Sequence, residues 1–330
     1  MISMKKPYIF KSPYSVSLQN YISERTAVLT SPELETAFCE NFDKYLFNCM
    51  HTMQPITEEL LRDWLKPKEW EKKITQRKRL NMTKRICKYL LAEGHDVYIP
   101  FQQIKHTQSN YIPYIFTKDE IRRIFAASYS IQSTVRSPYL HCTVPITFKI
   151  IYGCGLRSSE MVNLRLSDVD TEQRVLHIKN TKFGKSRYVP FSSSLNTEII
   201  QYINKRYGNT PDQNLFFLTS PDGQAYSKGT LYVWMRKLLY KAGIPHGGKG
   251  IGPRLHDFRH TFAVHSLQKS ILEKHDPAWM LPILSTYLGH KDLRGTQYYL
   301  RLTAEMYPEI ISALKSVHGD LEGGIHSNEK

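Results

Sequence analysis

Arg157, Lys182, His256, Arg259, His290 and a tyrosine at 298 or 299 form an ordered series of charged and nucleophilic residues, each inside a short motif. The motifs are Gly-Leu-Arg-Ser-Ser-Glu (155–160), Thr-Lys-Phe-Gly-Lys-Ser-Arg (181–187), Leu-His-Asp-Phe-Arg-His (255–260), Leu-Gly-His (288–290) and Thr-Gln-Tyr-Tyr (296–299). Two guanidiniums, an ammonium and two imidazoles ahead of a phenol suit attack of the phenol on a phosphodiester. A phenol with a pKa of ~10 is a poor nucleophile, so it needs nearby positive charge and a base. DNA is the substrate this chemistry points to.

Each member also has a plainer reading, and only the set decides between them. Arg157 follows a glycine turn at an expected helix start, where a guanidinium can clamp a phosphate in two-pronged fashion; paired to Glu160, it would be merely structural. Lys182 falls at the tip of an expected hairpin, from which it could protonate a departing oxygen, with Lys185 and Arg187 as competitors. His256 and Arg259 lie three apart and can address one phosphate. His290 follows Gly289, which lets a helix end there, and it precedes the tyrosine pair by eight and nine residues across a short connector. The His-Asp-Phe-Arg-His run resembles a zinc helix, but Asp257 replaces the required Glu and Arg259 would repel a metal, so no metal is expected. His260 and His265 read as packing or supporting histidines. The glycines at 247–252 lack a nucleotide-binding pattern and follow a helix, so no ATP or other cofactor is expected.

These residues need elements to position them. The fold class read from periodicity is mainly α with a small antiparallel β-sheet. Apolar residues recur at helical spacing from about 15 to 94, with expected helix starts at Ser31-Pro32 and Thr57 and a stop at Gly94. Residues 1–98 read as a helical DNA-binding domain, 99–113 as a linker with prolines at 100 and 113, 114–318 as a catalytic domain and 319–330 as a frayed tail. In the second domain Thr117 and Glu120 form a capping box for a helix over 118–128, and an apolar helix over 143–153 opens near Pro145. Strands at 174–179 and 187–191 pair as a hairpin turning near Gly184. Later helices are expected at 194–207, 227–242, 257–272, 278–288 and 304–317.

The chain of 330 residues carries a formal net charge of +15, which a polyanionic partner would select. Residues 62–88 hold 11 Lys or Arg against three acids, +8 by count. Lys72, Lys73, Arg77, Arg79, Lys84 and Lys88 are the expected DNA-binding surface; a merely solvated face is the alternative. Five scattered cysteines suit a reducing compartment, and no leader or membrane span is expected.

Taken in order, these motifs resemble the tyrosine recombinase family, the phage integrases, over nearly the whole chain. The resemblance selects Tyr299, nine residues beyond His290. It implies that Arg157 and Arg259 bind the non-bridging oxygens of the scissile phosphate and that His256 and His290 assist with protons. Lys182 would act as general acid, Glu160 would support the site, and Tyr299 would form a 3′-phosphotyrosyl link without a cofactor. It further implies a helical core-binding domain and a mixed catalytic domain around duplex DNA, and a homotetramer on two sites that is monomeric or weakly associated when free. Accessory DNA-bending or directionality proteins and a cytoplasmic, nucleoid-associated setting go with it. A site-specific recombinase of a mobile element is the leading expectation; a topoisomerase-like nicking and closing enzyme and a non-catalytic DNA-binding regulator are the alternatives. The interval from Arg259 to His290 is longer than is common in that family, with extra residues around 271–282.

Overall fold

The computed structural model describes residues 8–28, 33–104, 112–179, 186–248, 251–290 and 292–307. Lys182 and the turn near Gly184 lie outside these residues, as do the Ser31-Pro32 helix start and everything after Tyr307. The chain divides into two compact units, residues 1–111 and 112–330.

The first unit holds α1 (Ser15–Val28), α2 (Glu33–Cys49), α3 (Glu58–Leu65) and α4 (Lys73–Ala92). Thr57 caps α3 by accepting the Leu60 amide, and Gly94, at a φ of 87°, turns the chain after α4. Leu18, Phe42, Leu46, Leu61, Ile86 and Leu90 fill its core. Val97 bridges to Ile56, and Tyr98 and Ile99 pack on the same core, so Ile99, the first residue of the expected linker, belongs to this unit.

The second unit runs α5 (Lys118–Tyr129), α6 (Leu140–Gly153), α7 (Ser158–Asn163), β1 (Val169–Asp170), β2 (Val175–Ile178), β3 (Arg187–Pro190), α8 (Ser193–Tyr207), α9 (Lys228–Lys241), α10 (Asp257–Leu272), α11 (Pro277–Leu288) and α12 (Arg294–Met306). The three strands form one antiparallel sheet in the order β1-β2-β3, with Leu176 opposite Val189 and Ile178 opposite Arg187. The capping box of Thr117 and Glu120 opens α5.

Two further expectations change. α6 begins at Leu140, so Pro145 lies inside it; the amide and hydroxyl of Thr143 both donate to the Tyr139 carbonyl, winding a turn ahead of the proline. Tyr298 and Tyr299 lie in a helix and not in a connector: α12 spans Arg294–Met306, whereas the sequence predicts a helix only from 304. Thr296, Tyr299, Leu302 and Thr303 are all buried, at a spacing that puts them on one helical face.

The second unit has two apolar layers. The larger one gathers Phe116, Phe148, Leu176, Val189, Ile199, Phe217, Met235 and Phe258. The smaller one joins Ala263, Val264 and Leu267 of α10, Leu284 and Leu288 of α11, and Tyr299 and Leu302 of α12. It is this second layer that carries the tyrosine.

Candidate active site

The short helix α7 starts the site. Gly155, at a φ of 58°, turns the chain before it, and a Cβ there would stand 2.6 Å from Phe262 Cδ1. Arg157 precedes the helix; its amide donates to Glu160 Oε2 at 2.8 Å and its Nη1 to Oε1 at 2.7 Å. Its Nη2 donates to the Gly289 carbonyl at 3.0 Å, tying α7 to the end of α11.

Glu160 is the hub. Arg187, the first residue of β3, meets it with both terminal nitrogens at 2.8 and 2.9 Å and sends Nε to the Tyr287 carbonyl at 2.7 Å. Arg259 Nη1 stands 3.9 Å from the same carboxylate. Burial alone would raise the Glu160 pKa, but Arg187 and Arg157 hold it down to about 2. Three guanidiniums thus share one carboxylate, leaving an excess of two positive charges around Glu160.

Arg259 is 1% exposed, donates to the carbonyls of Gly155 (2.8 Å) and Leu288, and buries an Nε with no hydrogen-bond partner among the described residues. Burial and then Arg157 pull its pKa to about 10, so it remains a cation at neutral pH.

Gly289 ends α11 in the left-handed region at a φ of 65°, and a Cβ there would meet Arg187 Nη1 at 3.0 Å. This turn sets His290, whose Nδ1 pairs with Thr296 Oγ1 at 2.8 Å and whose ring stacks on Tyr299 at 6.0 Å and 20°. His256, just ahead of α10, keeps an exposed face and lies edge-on to His260, with ring centroids 4.7 Å apart. Desolvation first and then Arg259 and Arg157 lower the pKa of both His256 and His290 to about 4, so both are neutral at physiological pH. Asp257, in the place of a zinc helix's glutamate, accepts the Arg254 amide at 2.7 Å.

Tyr299 is 3% exposed while Tyr298 is 38% exposed. Burial raises the Tyr299 pKa, opposed by Arg259 and Arg157, the two cations that would stabilise a phenolate. Its hydroxyl lies 2.9 Å from His260 Nδ1.

Arg157, Glu160, His256, Arg259, His290 and Tyr299 therefore come together, while Lys182 falls outside the described residues. Sequence reasoning undervalues three neighbours: Arg187, read only as a competitor of Lys182, and His260 and Thr296. The spacing could have found two of them, since Thr296 and Tyr299 lie one turn apart and His260 lies one turn from His256.

The expected DNA surface is less uniform. Lys73, Arg77, Lys84 and Lys88 of α4 recur at intervals of four, seven and four, hence on one helical face. Lys72 is exposed at the helix start, and Lys84 Nζ donates to the Gln102 carbonyl at 2.7 Å. Arg79 departs from that surface: it turns inward to the carbonyls of Trp64 (2.7 Å) and Lys66 (3.0 Å) and to Glu71 at 2.5 Å.

Residues 115–306 match the model of the phage integrase family. A Sinorhizobium fredii protein with the provisional name integrase/recombinase y4rB is 35% identical over 210 residues, 62% of this chain and 66% of its own length. Tyrosine recombinase XerA of Pyrococcus horikoshii is 28% identical over 214 residues, 64% of this chain and 65% of its own. The chain thus spans just under two thirds of these relatives' length. In fold it is similar to XerH site-specific recombinase bound to palindromic difH substrate, with a TM-score of 0.61 at 20% identity, covering 89% of this chain and 83% of that one. It is also similar to the Tn1549 transposon integrase in complex with circular intermediate DNA, with a TM-score of 0.60 at 17% identity over 88% and 98% of the two chains. The chain belongs to the phage integrase, or tyrosine recombinase, family.

Proposed function

We propose that the chain is a site-specific DNA recombinase that cleaves and rejoins duplex DNA through a 3′-phosphotyrosyl intermediate on Tyr299. One observation carries the reading: three guanidiniums around a single carboxylate leave a buried surplus of positive charge beside a buried tyrosine, with an Arg259 Nε that has no hydrogen-bond partner among the described residues. A scissile phosphate is the anion such a site suits, held by Arg157 and Arg259. Glu160 and Arg187 fix the two arginines and the turn that carries His290. Neutral His256 and His290 can donate to, or accept from, phosphate oxygens as charge moves. Lys182 is proposed as the acid that protonates the leaving 5′ oxygen.

The bond energy is conserved in the phosphotyrosine, so the strand can be rejoined without a metal or nucleotide. The named relatives, an integrase/recombinase and a tyrosine recombinase, support this class of reaction, and the DNA named with the structural neighbours supports a duplex substrate. The finer proposal is integration or excision of a mobile element, by a tetramer on two sites, in a cytoplasmic, nucleoid-associated setting, with Lys73, Arg77, Lys84 and Lys88 on the duplex backbone.

The test is covalent trapping on nicked duplexes taken from the DNA flanking the gene. Wild type forms an adduct that survives EDTA, Tyr299→Phe forms none, and Tyr298→Phe does. An adduct lost in EDTA, or one kept by Tyr299→Phe, overturns the proposal. Relaxation of supercoiled DNA irrespective of site would point to a nicking and closing enzyme instead.

A further inference from the structure

The phenol of Tyr299 must lose a proton when its oxygen bonds to phosphorus, and among the described residues one imidazole stands within hydrogen-bond distance of it. Arg259 and Arg157, whose charges act on this hydroxyl, are donors only. Glu160 is engaged by Arg157 and Arg187 on both oxygens. His290 stacks its ring face against Tyr299, 20° from parallel, and spends Nδ1 on Thr296. His260 differs from all of these: it stands one helical turn after His256 on α10, and its Nδ1 lies 2.9 Å from Tyr299 Oη with the two rings tilted at 53°.

We infer that His260 is a catalytic residue, the proton acceptor for Tyr299. With its proton on Nε2, it takes a hydrogen bond from the phenol at Nδ1. As Oη bonds to phosphorus, the Oη–H bond breaks onto Nδ1, and the P–O5′ bond breaks with its electron pair on O5′, which a separate acid protonates. Rejoining runs the same path backwards and returns the proton to the tyrosine. This rests on the reading of Tyr299 as nucleophile.

The electrostatics keep the acceptor free. Desolvation, then His256 and Arg259, lower the His260 pKa to about 3, so its lone pair is available at neutral pH. A phosphate held between Arg157 and Arg259 offsets these cations and strengthens His260 as a base at the moment it is needed. Among the described residues, the charged and titratable groups around the pair are His256 just ahead of α10, Arg259 on α10, Arg157 just ahead of α7, His290 after α11 and Tyr298 on α12.

Single-turnover adduct formation on the trapping duplex tests this. His260→Phe is expected to slow it about 100-fold or more at neutral pH with DNA affinity retained. His260→Asn, which can accept a hydrogen bond but take no proton at neutral pH, is expected to be slow as well and guards against a folding defect. The loss should shrink as pH rises toward the phenol's own pKa, and when 3-fluorotyrosine, a more acidic phenol, stands at 299. A 5′-bridging sulfur in place of the leaving oxygen should rescue Lys182→Ala but not His260→Phe. Rates within a few-fold of wild type in either variant, or losses indifferent to pH and to fluorination, would overturn the inference. An adduct on Tyr299→Phe would instead overturn the reading of the nucleophile.

Discussion

The cations of the first unit and those of the second meet their surroundings in opposite ways. On α4, Lys73, Arg77, Lys84 and Lys88 repeat along one helical face, with Lys73 and Lys88 exposed to water. In the second unit Arg157, Arg187 and Arg259 have side chains 18%, 8% and 1% exposed, and each is fixed by carbonyls and by one shared carboxylate. Solvated charges act nearly independently and are screened by salt. Desolvated charges act as a unit, because removing one partner strands the rest. On the proposed function, the same residue types would serve general attraction to a polyanion in one place and a single oriented phosphate in the other.

The sharpest way to break this contrast is to remove the shared carboxylate. Glu160→Ala leaves Arg157, Arg187 and Arg259 without their common partner and is expected to cost about 3–5 kcal/mol in urea unfolding, whereas Lys73→Ala should stay within about 0.5 kcal/mol. Equal costs would mean that the two sets of cations do not differ in kind.

Gly289→Ala tests the turn beside Arg187. It forces a left-handed residue and a methyl 3.0 Å from Nη1, so a loss of about 1–3 kcal/mol is expected, with slower adduct formation as His290 shifts. Unchanged melting and rate would show that Arg187 yields freely.

Acid separates the two sets of cations further. His256, His260 and His290 have pKa values lowered to about 4, 3 and 4, so the unfolded chain, at the ordinary value of 6.5, binds more protons than the folded one. Stability of the second unit should therefore fall as pH drops from 6.5 toward about 4. Glu160, lowered to about 2 from 4.5, continues the loss below pH 4.5 as its carboxylate protonates. Urea midpoints at pH 7, 5.5 and 4.5 check the direction; a flat profile would refute it.

The smallest effect per residue belongs to α4. Neutralising Lys73, Arg77, Lys84 and Lys88 should lower the slope of log K against log salt by about 0.9 for each phosphate that a cation no longer neutralises. Arg79→Gln should leave that slope alone and weaken the first unit, since its guanidinium serves Trp64, Lys66 and Glu71.

Local signals with a hydrogen-bond logic are legible in the sequence. The caps at Thr57 and Thr117, the stop at Gly289 and the start of α10 at Asp257 all lie where their residue types place them. Arg157, His256, Arg259, His290 and the tyrosine pair are readable as a set because their chemistry is shared, whereas the choice of Tyr299 and the supporting role of Glu160 come from the family resemblance. What stays hidden depends on tertiary partners. A run of cations does not reveal that Arg79 folds back onto carbonyls, and a strand-leading Arg187 looks exposed until Glu160 and Tyr287 are placed beside it. α12 is masked by the polar residues ahead of it, although Thr296, Tyr299 and Leu302 carry a helical period. His260 looks like a packing residue because its partner, the Tyr299 hydroxyl, lies 39 residues away.

The buried tyrosine beside the arginine cluster, and not its exposed neighbour, is the proposed nucleophile on DNA. Proteolysis of the trapped adduct followed by electron-transfer fragmentation of the nucleotide-bearing peptide tests it most directly. The nucleotide is expected on Tyr299; a nucleotide on Tyr298, or on any residue outside α12, would rule Tyr299 out as the nucleophile.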